Sequence, residues 1–197
     1  MYYYHSREFT ELLLAQPLKR STIFFGQYLG LSISLTFSLV VGLGIPFLAY
    51  GLIQSTVIFN FISLLLIGSL LSFIFTALAL NIAIANDDRI KGFGYSILLW
   101  LFMAVIYDGL FLVSLVSFSD YPLEKFALGV TVFNPIDLSR IYIVLKLDIA
   151  ALLGYTGAVF NSFFGTSYGK ILSFLLLVLW VIIPSIRIIT SSNKKDF

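Results

Sequence analysis

Residues 6–20 read SREFTELLLAQPLKR, Ser6 to Arg20, and the 66 residues that follow contain no Asp, Glu, Lys or Arg until Asp87. That contrast decides the fold. Glu8 and Glu11 lie in the first turns of a helix, where the backbone dipole favours anions, and Arg7 stands four residues before Glu11. Phe9, Leu12, Leu13 and Gln16 share one face by helical spacing. Ser6 is placed to cap this helix, Pro17 to stop it, and Ser21 to cap the next one. About ten residues is half of what a span needs, so this amphipathic helix lies on or under a membrane.

The uncharged run after it is long enough for two spans, since each needs about 20 apolar residues. The whole chain shares that character: 59% of its residues are hydrophobic and only 11% are charged. A soluble domain carries roughly a quarter charged residues. No ten-residue alternation suggests a barrel, so the expected class is an all-α, polytopic membrane protein. A net charge of +2 gives no reason to expect nucleic acid, and the absence of cysteine removes disulfides and thiolate metal sites. Residues 1–8, MYYYHSRE, hold no apolar core of a signal peptide.

Four spans are expected, over residues 28–52, 58–85, 93–118 and 171–189, all within one transmembrane unit. The first carries small residues at every fourth position: Gly26, Gly30, Ser34, Ser38 and Gly42. Small residues let helices approach closely in lipid, so this ladder is either a packing face or a sliding surface. Pro46 is expected to kink or end the helix. A weaker ladder, Gly68, Ser72 and Thr76, runs along the second span. Between spans two and three lies a tight polar turn, 86–91. Residues 119–170 form a loop with helical or re-entrant parts. In it Asn134-Pro135 followed by Asp137 reads as a helix start, running to about Asp148. Residues 149–169 contain four glycines and read as re-entrant or interfacial rather than spanning.

Charge fixes the orientation. With four spans, Arg7, Lys19, Arg20, Arg89, Lys91, Arg187, Lys194 and Lys195 fall on one side. Lys125, Arg140, Lys146 and Lys170 fall on the other. Basic residues concentrate on the cytoplasmic side, which puts both ends of this sequence inside and the long loop outside.

Asp108 is the one charge inside a span. At that depth a charge costs about 2.5–3.5 kcal/mol, so it must face protein or water. With Asn81 and Tyr107 it is either a pathway residue or a hydrogen-bonding group between helices. His5 is the only histidine and Met103 the only internal methionine, too few to hand on a soft metal. Residues 165–170, GTSYGK, have three residues between the glycines and Ile171 where a phosphate loop needs Ser or Thr. No Ser/His/Asp set occurs, so an enzyme is the weaker expectation.

Three stretches carry a family resemblance: ELLLAQPLKRSTIFFGQYLG (Glu11–Gly30), LLW followed by YD (Leu98–Asp108), and NPIDLSR (Asn134–Arg140). Together they resemble the permease subunits of ABC-2 type transporters, most nearly the NosY family that serves nitrous oxide reductase maturation. The first element is shared across the superfamily, and the combination with the other two is narrower. The resemblance implies that the first helix is a cytoplasmic coupling helix, with Glu8, Glu11, Leu12, Leu13, Gln16, Pro17 and Arg20 meeting an ATPase. Many members have Gly-Thr where this chain has Glu8-Phe9.

It further implies a homodimer in the bacterial inner membrane, with ATP and Mg on the separate ATPase and no cofactor on this chain. A periplasmic NosD-like partner would meet Asn134, Pro135, Asp137 and Arg140, and the complex would move a sulfur species or deliver copper. Members have two spans before the coupling helix, so an upstream start is expected. The alternatives are an ABC-2 exporter of lipid, polysaccharide or drug, and a truncated, non-transporting membrane scaffold.

Overall fold

A computed structural model describes residues 2–51, 58–118, 124–146 and 166–192. The protein is an all-α polytopic membrane protein, and the described residues contain no strand. Two short helices, α1 (Tyr2–His5) and α2 (Arg7–Leu14), precede α3 (Arg20–Ala49) and α4 (Ile58–Ala85). The third span is α5 (Arg89–Leu101), a π-helical turn at Phe102–Ile106, and α6 (Tyr107–Ser117). Then follow α7 (Glu124–Val132), α8 (Pro135–Lys146) and α9 (Ser167–Ser192). Four of these stretches are long and apolar enough to cross a membrane.

The span boundaries differ from those expected, for local reasons. The first span starts at Arg20, eight residues early, because nothing between Arg20 and Tyr28 breaks a helix. Its capping position is Lys19, with no side-chain cap, rather than Ser21. Ser6 does not cap α2 either; its hydroxyl donates to the Tyr3 carbonyl, since α1 already leads into α2. Pro46 lies inside α3, which runs on to Ala49. Asp88 supplies a cap that went unread: its carboxylate accepts from the backbone N–H groups of Ile90 and Lys91 and starts α5.

The bundle is built on α4, which packs against α3, α5, α8 and α9. Two cores divide its length. Phe24, Tyr28, Ala77, Leu80, Ile84 and Ile188 fill one end and take Tyr3 of α1 with them. Ile67, Ile74, Ala127, Leu138, Ile141 and Leu177 fill the other, where α7 and α8 enter the bundle. The up-and-down order therefore gathers α1, α2, the α4–α5 turn and the C-terminal end of α9 at one end.

Among the described residues, no helix packs onto the small-residue ladder of α3. A Cβ added at Gly26, Gly30 or Gly42 would meet nothing within 4 Å, and Ser34 and Ser38 are exposed. The packed face is displaced by two residues, about 200° around the helix, and carries Phe24, Tyr28 and Ser32. The weaker ladder is the one that packs: a Cβ at Gly68 would come 3.0 Å from Leu39 Cδ1, and Thr76 is buried.

Candidate functional site: an open amphipathic helix and a latched elbow

At the first end, α2 is held to the bundle while its apolar face stays open. Thr10, 1% exposed, accepts a hydrogen bond from Gln27 Nε2 of α3 at 2.7 Å and donates to the Ser6 carbonyl. Phe9 and Leu12 are 62% and 68% exposed. Glu8, Gln16, Pro17 and Arg20 are exposed as well, Leu13 is half-buried, and Glu11 pairs with Arg7 at 3.0 Å. The expected face is thus split. Phe9 and Leu13 line a cleft that continues along Gly26, Gly30 and Ser34, and Leu12 points elsewhere on the exposed surface.

A second anchor comes from α1, which the sequence reading passed over. Tyr4 donates from its hydroxyl to the Asn86 carbonyl at 2.9 Å, at the end of α4. Burial raises its phenol above the ordinary range, and Tyr3, Asp87 and Asp88 add to this, so it stays a neutral donor. Gly92 of α5 is where the tyrosine ring passes: a Cβ there would collide with the Tyr4 hydroxyl and ring. Gly92→Ala should therefore displace α1 and lower the thermal midpoint in detergent, whereas the double variant with Tyr4→Phe should recover part of the loss. No recovery would show that the collision is not the cause.

At the opposite end α7 and α8 form an elbow, bent by 112° between Phe126–Val132 and Pro135–Val144. Its corner reaches the middle of two spans. Met103 lies 14 residues from each end of Arg89–Ser117, about 21 Å at ~1.5 Å per residue. Its carbonyl accepts from Asn134 Nδ2 at 2.8 Å. Trp180, midway along α9, donates from Nε1 to the Val132 carbonyl at 3.1 Å. Irregular backbone at such depth survives only where it is buried in protein, and Asn134 is 0% exposed.

The π-helical turn makes this contact available. Tyr107 N–H reaches five residues back to the Phe102 carbonyl, which skips the Met103 carbonyl and leaves it to Asn134. The same asparagine caps α8 by accepting from Ile136 N at 3.0 Å and donates to Asp137 Oδ2 at 2.8 Å. The helix start read at Asn134-Pro135 is therefore real, and it lies inside the bundle.

One turn further out, Arg140 Nη1 meets Asp108 Oδ2 at 2.9 Å and stands 3.7 Å from Asp137 Oδ1. Tyr107 donates to the Val130 carbonyl at 2.6 Å. The structure thus joins two groups that the sequence kept apart, Tyr107 and Asp108 on the third span and Asn134, Asp137 and Arg140 on the elbow. Asp108 is a charged partner between helices. Asn134, Pro135 and Asp137 are buried, so of the four residues expected to meet an outer partner only Arg140 is exposed. Asn81 sits apart, toward the end that holds α2, donating to the carbonyls of Ala77 and Pro184, each at 2.8 Å. The re-entrant segment expected at 149–169 falls largely on residues 147–165, outside the described residues; the elbow found here lies earlier.

Among the described residues no three His, Cys, Asp or Glu side chains gather as metal ligands. The four long apolar helices define a multi-pass helical membrane protein. No family model matches the sequence, and no curated protein matches it significantly.

Proposed function

We propose that this chain is the permease subunit of an ABC-2 type ATP-driven transporter. The observation that carries the reading is α2: an eight-residue amphipathic helix, locked to the first span through Thr10 and Gln27, that leaves Phe9 and Leu12 open. A helix fixed to a span and presenting apolar side chains to water is suited to pass a partner's movement into the bundle. Arg7, Lys19, Arg20, Arg89, Lys91 and Arg187 gather at this end, which the positive-inside rule makes cytoplasmic in a bacterial inner membrane.

The partner is a separate ATPase that binds ATP and Mg. A second copy of the chain would cover the outward Gly26–Gly42 ladder of α3. At the far end, the elbow would act as the outer gate, with Arg140 as the group that a NosD-like periplasmic partner reaches. The finer resemblance assigns the complex to nitrous oxide reductase maturation, moving a sulfur species or delivering copper.

Recruitment of the ATPase is the test. Leu12→Glu and Glu11→Lys should each lower the ATPase recovered with the subunit, Leu12→Glu at least tenfold, while the thermal midpoint of the subunit stays unchanged because both side chains are exposed. Undiminished recruitment by both variants would remove α2 from the coupling role.

A further inference from the structure

A cleft of about 360 Å³ opens between α4, α5 and α9, away from α2; it runs from Trp180, beside the elbow, to the end of the bundle that holds α2. Its walls are Leu78, Ile82, Leu99, Trp180 and Ile183, and Arg187 and Tyr95 also line it. We propose that this cleft holds an acidic phospholipid, with one acyl chain along the apolar walls and the phosphate on Arg187.

The length suits such an occupant. From Trp180 to Arg187 is seven residues, about 10 Å along α9, which carries the cleft from the middle of the span to its end. The charge suits it too. Arg187 is exposed and has no carboxylate within salt-bridge distance among the described residues. A guanidinium binds a phosphate through paired, charge-assisted hydrogen bonds. Asp87 and Asp88 offset Arg89 and Lys91 in the neighbouring turn, so the headgroup contact rests on Arg187. Basic clefts between spans bind acidic headgroups in this way. A neutral lipid would fill the same walls but leave the guanidinium without an acidic phosphate of net charge to neutralise.

Trp180 provides the readout, because the chain has only two tryptophans. Trp100, on the exposed side of α5, is replaced by Phe, and the protein is reconstituted in vesicles of phosphatidylcholine containing brominated phosphatidylglycerol or brominated phosphatidylcholine. Brominated phosphatidylglycerol should quench Trp180 at about tenfold lower mole fraction, the factor that one charge-assisted hydrogen bond of about 1.4 kcal/mol supplies. Arg187→Gln should erase the difference, and Arg89→Gln, which removes the same charge at the same end but outside the cleft, should keep it. Equal quenching by both lipids would overturn the proposal. So would a preference that survives Arg187→Gln, or one that Arg89→Gln abolishes equally. Should Trp100→Phe not fold, Trp100→Leu serves the same purpose at this exposed position. None of these outcomes depends on ATPase binding, so the site stands or falls apart from the transport reading.

Discussion

Asn134→Ala should lower the stability of the protein by about 3 kcal/mol, read as a fall in thermal midpoint in detergent. Three losses add up. The α8 cap is worth about 1 kcal/mol, and removing the amide leaves the Met103 carbonyl and Asp137 Oδ2 without their buried donor, at about 1–3 kcal/mol each. The sum reaches the lower part of that range because the elbow can shift to relieve some of it. Asn134→Asp separates the parts: it keeps the acceptor that caps Ile136 N but adds a carboxylate beside Asp137. It should therefore be no better than Ala, and worse at high pH. An Asn134→Ala loss below about 1 kcal/mol would mean that the elbow is not held by its corner.

Breaking the pair between Arg140 and Asp108 should be nearly as costly, provided only one partner is removed. Arg140→Leu removes the one cation paired with Asp108 among the described residues, and a lone charge at that depth costs about 2.5–3.5 kcal/mol. Both side chains are partly exposed, so about 2 kcal/mol is the expected loss. Asp108→Asn alone should cost less, because Asp137 still lies near the guanidinium. The double variant Asp108→Asn with Arg140→Leu should be more stable than Arg140→Leu alone, giving a coupling energy of about 1 kcal/mol in the cycle. Strict additivity would show that the two groups do not feel each other.

Much of this fold was legible from two signals, the uncharged 21–86 run and the sparse charges around it. Those signals depend on composition and survive without tertiary information. The short polar helix was legible for the same reason: Arg7, Glu11 and Pro17 act on neighbours within a turn or two, and the Arg7–Glu11 pair and the end of α2 before Pro17 are present.

The elbow was only half legible. Asn134-Pro135 with Asp137 marks a helix start in any setting, but its depth rests on a carbonyl, freed by a π-helical turn, that lies 31 residues earlier. No local pattern announces that turn in Phe102–Ile106. Asp108 and Arg140 were each visible as a charge, and their pairing was not, because it depends on how far the elbow enters. The α3 ladder was half legible for a related reason. Small residues at every fourth position mark a close-approach face without saying whether the approaching helix belongs to the same chain. Tyr4 and Gly92 were missed because a tyrosine before a polar helix and a glycine after a polar turn are individually ordinary.

If α2 grips an ATPase, the unmodified subunit purified from native membranes should bring that ATPase with it. The accompanying protein should carry a phosphate-binding loop and ATP hydrolysis activity, match the subunit in amount, and be lost with Leu12→Glu. A subunit that arrives without any nucleotide-binding protein, under conditions that preserve its fold, would contradict the transporter reading.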